Sequence, residues 1–76
     1  MEEKIIEIIK TIAPDADAVS SDDLLADGIL YSFSVIRLVS ELEDEFDISI
    51  KANKVVKDNF KNIKAIAALV SELMDE

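Results

Sequence analysis

Three stretches of this chain place apolar residues three and four apart, a period that commits most of its length to helices burying one face each. In the first, Ile5, Ile8, Ile9 and Ile12 form a stripe among Glu2, Glu3, Lys4, Glu7 and Lys10. Acids at the start and Lys10 near the end suit the helix dipole, and Pro14 ends the element. In the second, from Ser32 to Phe46, the residues Val35, Leu38, Val39, Leu42 and Phe46 share one face. Ser34, Arg37, Glu41, Asp44 and Glu45 fall on the other, and Phe33 is assigned to the core. In the third, over residues 61–75, Ile63, Ile66, Ala67, Val70, Leu73 and Met74 keep helical spacing, with Asn59 as the expected cap.

The connections are not featureless. From Asp15 to Leu30 the chain is rich in Asp, Ser and Ala but retains Val19, Leu24, Leu25, Ile29 and Leu30, which a free linker would waste. A long packed loop is expected there. Gly28, the only glycine, marks a turn that needs a positive φ. Ile48, Ser49 and Ile50 alternate as a strand would but have no pairing partner, so an extended connection should lay both isoleucines on the core. Val55 and Val56, followed by Asp58, Asn59 and Phe60, are compatible with one short helical turn. The sum is an all-α fold: a small four-helix bundle of three main helices and one short one, forming a single domain over residues 1–76.

Composition excludes more chemistry than it suggests. The chain has no cysteine and no histidine, so disulfides, thiolate metal sites, a cysteine nucleophile and the usual general base are all missing. A small domain without disulfides fits a reducing compartment, and a cytoplasmic location is expected. The longest apolar run, Ala65 to Val70, is far short of the roughly 20 residues that cross a bilayer. Residues 1–10 do not read as a signal peptide. Seventeen acids against eight bases, a formal charge of −9, repel nucleic acid and anionic lipid and attract basic protein patches.

Asp15, Asp17, Asp22 and Asp23 invite a calcium reading, but counting from Asp15 the fifth, sixth and twelfth residues are Val19, Ser20 and Ala26. A calcium loop needs an oxygen ligand, a glycine and a glutamate at those places. Glu43 and Asp47 are read as solvated helix carboxylates, with no pocket to separate their protonation states. No metal site and no catalytic residue is expected, and the chain is not read as an enzyme. Ser32 stands apart. Its hydroxyl precedes the periodic run, where it can cap a helix N-terminus, and that position also favours a phosphate ester.

The run Asp27-Gly28-Ile29-Leu30-Tyr31-Ser32-Phe33, followed by Leu38, Leu42, Glu43, Asp44, Glu45, Phe46, Asp47 and Ile48, resembles the acyl carrier protein family and its aminoacyl, peptidyl and D-alanyl carrier relatives. In that family a motif such as Asp-Ser-Leu opens the second helix and an acidic stretch ending in Phe closes it. The likeness spans the chain and includes Asp58-Asn59-Phe60. It implies that Ser32 carries 4′-phosphopantetheine, transferred from coenzyme A by a separate phosphopantetheinyl transferase. The arm ends in a thiol that holds an acyl or aminoacyl group as a thioester, so a protein without cysteine takes part in thiol chemistry. The implied product is a freestanding, monomeric carrier visited by loading and acyl-processing enzymes, with fatty acid biosynthesis among the possible settings.

The residues agree with that role. An acidic helix face beside Ser32, built from Glu41, Asp44 and Glu45, would steer basic partner surfaces, and Tyr31, Phe33 and Arg37 extend the partner-binding surface. The chain also departs from its relatives. Tyr31 stands where the family commonly has Asp before the modified serine, Ser34 and Arg37 stand where fatty-acid carriers often have acids, and Lys51, Lys54 and Lys57 form a ladder of positive charge. These departures keep a second reading open: an engineered or divergent module of carrier fold, unmodified, that holds a protein partner through its second helix.

Overall fold

The computed structural model describes residues 1–14, 17 and 20–75. Three α-helices, α1 (Glu2–Ile12), α2 (Ser32–Phe46) and α3 (Ile63–Met74), are joined with two single-turn 3₁₀ segments, Ala52–Lys54 and Lys57–Asn59, and no strand occurs among the described residues. The fold is therefore all-helical, as the apolar period requires. The short fourth helix expected near Val55 is replaced by these two turns. Both valines lie between the turns and are exposed, because β-branched residues gain little from a helix that buries neither of them.

α1 packs on both α2 and α3, and α2 meets α3 more lightly. Ile5, Ile8 and Ile9 from α1, Leu38 and Leu42 from α2, and Ile63, Ile66, Leu69 and Val70 from α3 form the core with Leu24, Leu30, Ile50 and Phe60. Ile50 is buried and Ile48 half-buried, so the extended connection lays its isoleucines on the core. Met74, placed on the apolar stripe of α3, is exposed at its last turn, while Leu69 takes a core position.

Between α1 and α2, the described residues form hydrogen-bonded turns rather than a helix. Leu24 and Leu30 are buried, and Leu25 and Ile29 are half-buried against the core. The backbone N–H groups of Ile29 and Leu30 both donate to the Leu24 carbonyl, at 2.9 and 3.0 Å, and the Leu24 N–H donates to the Lys61 carbonyl at 2.6 Å. Asp23 Oδ1 accepts from the N–H groups of Leu25 and Ala26, so this acid organises a turn. Gly28 adopts φ 74°, the left-handed conformation expected of it. Asp15 and Val19, assigned to the acidic cluster and to the packed loop, lie outside the described residues.

The caps differ from the sequence expectation in an instructive way. Asn62 caps α3, its Oδ1 accepting from the Ala65 N–H at 2.8 Å, whereas the Asn59 side chain donates to the Lys54 carbonyl and ties the two 3₁₀ turns together. Both asparagines satisfy backbone groups, but only Asn62 has the extended backbone immediately before the helical run that an N-cap requires. Glu43, expected to be solvated, is half-buried, and its Oε2 accepts from the Ile50 N–H at 2.8 Å.

Candidate functional site

Ser32 is the first residue of α2, and Tyr31, with extended φ and ψ of −140° and 176°, is the N-cap. The cap position therefore belongs to Tyr31, whose side chain makes no capping bond, and the Ser32 hydroxyl is not a cap. None of the side-chain hydrogen bonds among the described residues involves Ser32. Its side chain is exposed at the positive end of a 15-residue helix dipole, where a phosphate ester is favoured.

Beside Ser32 lies an open groove of about 370 Å³, walled by Leu25, Val35, Ile36, Val55, Val56 and Phe60, with Lys57 as its single charged residue. The turn before α2, the first two turns of α2 and the 3₁₀ region all contribute to it. Its surface is apolar apart from Ser32 and Lys57. Sequence reasoning misses this groove: the apolar stripe of the helix gives Ile36 no role, and Val55 and Val56 read only as part of a helical turn. The available signal was Ile36 itself. At 3.6 residues per turn it stands roughly 160° around the helix from Leu38, so an isoleucine there is turned away from the core.

The same geometry overturns the assignment of Phe33 to the core and of Ser34 to the outer face, and it leaves Phe33 on the surface, where the partner-binding reading also places it. Phe33 is 79% exposed and Ile36 is 68% exposed, while Ser34 is only 7% exposed. Ser34, Leu38 and Leu42 follow one another at four-residue intervals and form the buried line of the helix, with Val35, Val39 and Phe46 half-buried along its flank. Residue polarity suggested the opposite for positions 33 and 34. Helix rotation decides the matter, because both cannot join the face that Leu38 and Leu42 define.

Tyr31, Phe33, Arg37, Glu41, Asp44 and Glu45 are all exposed, the last five on the outward side of α2. The three lysines of the ladder are put to separate uses. Lys54 pairs with Glu72 of α3 at 3.1 Å, Lys57 lines the Ser32 groove, and Lys51 is exposed at the start of the first 3₁₀ turn. Among the described residues no three acidic, histidine or cysteine groups converge as a metal site. Among the described residues no helix is long and apolar enough to cross a membrane.

An exposed hydroxyl at a helix N-terminus thus lies beside an apolar groove and an acidic helix face. Residues 3–70 match the family described as "Phosphopantetheine attachment site", and the chain belongs to that family of carrier proteins. It carries a covalently attached 4′-phosphopantetheine. The relatives are named more narrowly. The D-alanyl carrier protein of Lactococcus lactis subsp. cremoris strain MG1363 is 39% identical, over 100% of this chain and 99% of that protein. The D-alanyl carrier protein of Streptococcus sanguinis strain SK36 is 31% identical over 92% and 90%.

The residues present fit the cofactor. A free hydroxyl is available for the phosphodiester, the helix dipole favours its negative charge, and the groove beside it offers apolar walls to the arm. When bound, the cofactor supplies the thiol that this cysteine-free chain lacks.

Proposed function

We propose that Ser32 is the attachment residue and that the chain carries D-alanine as a thioester on the arm. The observation that carries this reading is the Ser32 hydroxyl, exposed in the first turn of α2 at the edge of the apolar groove. The cargo is inferred from the D-alanyl carrier proteins to which the whole chain is similar. The protein's own part is to hold and present. α2 fixes the attachment point, the groove gives the arm a place to lie, and the outward face of α2 is recognised in turn by the transferase and the loading enzyme.

That face combines two kinds of recognition. Glu41, Asp44 and Glu45 form the acidic patch that steers a basic partner surface at long range. Tyr31 and Phe33 at the Ser32 end supply exposed aromatic area for close contact, and Arg37 between them gives one positive charge that a partner must match. The transferase must reach Ser32, and Tyr31 and Phe33 flank it on either side in the chain.

The test begins with the apo protein, coenzyme A and a permissive phosphopantetheinyl transferase, followed by intact mass measurement. A gain of one phosphopantetheinyl group that disappears in Ser32→Ala is expected. No gain under conditions that modify a control carrier overturns the assignment and favours the unmodified binding module. The holo protein is then offered D-alanine, L-alanine and a fatty acid, each with ATP and an activating ligase of matching specificity. Preferential D-alanyl loading is expected, and preferential fatty acyl loading overturns the cargo.

A further inference from the structure

The groove beside Ser32 contains one charged side chain, and nothing in the carrier role yet uses it. Lys57 opens the second 3₁₀ turn, is exposed, and forms no ion pair among the described residues, unlike Lys54, which is held by Glu72. It shares the groove with Ser32 while the other walls are apolar apart from the serine hydroxyl. In a chain of net charge −9, an unpaired cation at that place has few functions in packing. Lys57 also borders a second, smaller depression lined by Asp23, Leu25, Asp58 and Lys61. Asp23 is already engaged, its Oδ1 accepting two backbone N–H groups of the turn.

We propose that Lys57 positions the cofactor arm: its ammonium pairs with the phosphodiester that joins the arm to Ser32 and directs the arm along the wall formed by Ile36, Val55 and Val56. The proposal rests on Ser32 being the attachment residue and deepens that reading. A phosphodiester carries one negative charge at neutral pH. Attached at Ser32 it would meet the positive end of α2 and share the groove with Lys57, so one anion gains two favourable partners. The ammonium is a point charge on a flexible stem whose methylenes can lie against the apolar wall. Screening keeps such a solvent-facing pair weak, which suits a carrier. An arm held by a weak, reversible contact is parked between visits and still released to each enzyme.

The experiment compares apo and holo protein by ¹H–¹⁵N correlation spectra, with ³¹P spectra of the holo form, for the natural chain, Lys57→Gln, Lys57→Arg and Lys61→Gln. Intact mass confirms that each holo sample carries the arm, and loss of the gain in Ser32→Ala places it. The natural chain is expected to shift the Ile36, Val55 and Val56 amides on arm attachment. Lys57→Gln should reduce the docked-to-free ratio roughly two- to fivefold, the range of an exposed ion pair, and should move the ³¹P resonance. Lys57→Arg should retain most of the effect, Lys61→Gln should leave it unchanged, and 0.5 M salt should mimic Lys57→Gln. Holo spectra of Lys57→Gln that match the natural chain overturn the proposal, as does an equal loss in Lys61→Gln. A chain that gains no mass overturns the attachment at Ser32 instead, and the mass spectrum tells the two failures apart.

Discussion

The Oε2 of Glu43 accepts a hydrogen bond of 2.8 Å from the backbone N–H of Ile50, seven residues later in the chain. The bond fastens the connection leaving α2 to the last turns of that helix. It also fixes Ile50 where its side chain is buried. The Ile48 N–H donates to the Glu43 carbonyl at 3.3 Å, so one residue receives the chain twice as it turns at Asp47, whose φ of 52° is the left-handed C-cap.

Glu43→Ala removes a charged acceptor from a half-buried amide and is expected to cost about 1.5–3 kcal/mol, the range for a hydrogen bond to a charged group. Glu43→Gln keeps a neutral acceptor and should lose less than half of that. Urea unfolding followed by circular dichroism measures both. Equal stability of the alanine variant and the natural chain would show that water replaces the contact without loss.

Tyr31 occupies the N-cap of α2 without capping it. Tyr31→Asp places a carboxylate where it can accept from the N–H of Phe33 or Ser34, and it also restores the charge that related carriers commonly have before the modified serine. A stability gain of about 1 kcal/mol is expected, a rise in Tm of roughly 4–8 °C for a domain of this size. Transferase-catalysed modification should also become faster. A higher Tm with an unchanged rate would assign the family's aspartate to helix capping alone.

Two phenylalanines test the rotation of α2 and the packing around the groove. Phe60 is 1% exposed, and Phe60→Ala should cost about 3–5 kcal/mol through lost burial and the cavity left behind. That is a large part of the stability of a small domain. Phe33→Ala removes an exposed ring and should change stability by less than about 0.5 kcal/mol. The same variant should weaken binding to the transferase or the loading enzyme, read by calorimetric titration. A large stability loss in Phe33→Ala would mean that the ring is packed.

Gly28 and Asn62 test the two local conformations on either side of the Leu24 segment. A Cβ added at Gly28 meets nothing within 4 Å, so Gly28→Ala is opposed only by its φ of 74° and should cost about 1–2 kcal/mol. Gly28→Asn, which tolerates that conformation, should recover much of the loss. Asn62→Ala should cost about 1 kcal/mol by freeing the Ala65 N–H, and Asn62→Asp should restore it. Thermal unfolding of the four variants separates these effects.

The helices were legible because their evidence is periodic and local. Ile5, Ile8 and Ile9, or Ile63, Ile66 and Val70, repeat at the spacing of a helix, and only a helix puts them on one buried face. The family was legible because the motif around Ser32 carried the resemblance to phosphopantetheine carriers, whose family model matches residues 3–70. Gly28 was legible because so few residues adopt a positive φ without strain.

What the sequence alone determined, then, is the all-helical class, the residues that form the three helices, and the chemistry this chain lacks for itself. Tertiary structure decided the rest. Polarity ranked Phe33 as core and Ser34 as surface, but the face of α2 that meets α1 and α3 is set by Leu38 and Leu42 together, and that rotation reverses both. The groove joins Leu25 and the start of α2 to the 3₁₀ region well downstream in the chain, so no local pattern contains it. Lys57 looked like one rung in a ladder of charge. Only packing separates it from Lys54 and sets it in the groove that Ser32 also lines, because an ion pair or a pocket wall is a relation between elements and is not written in either one.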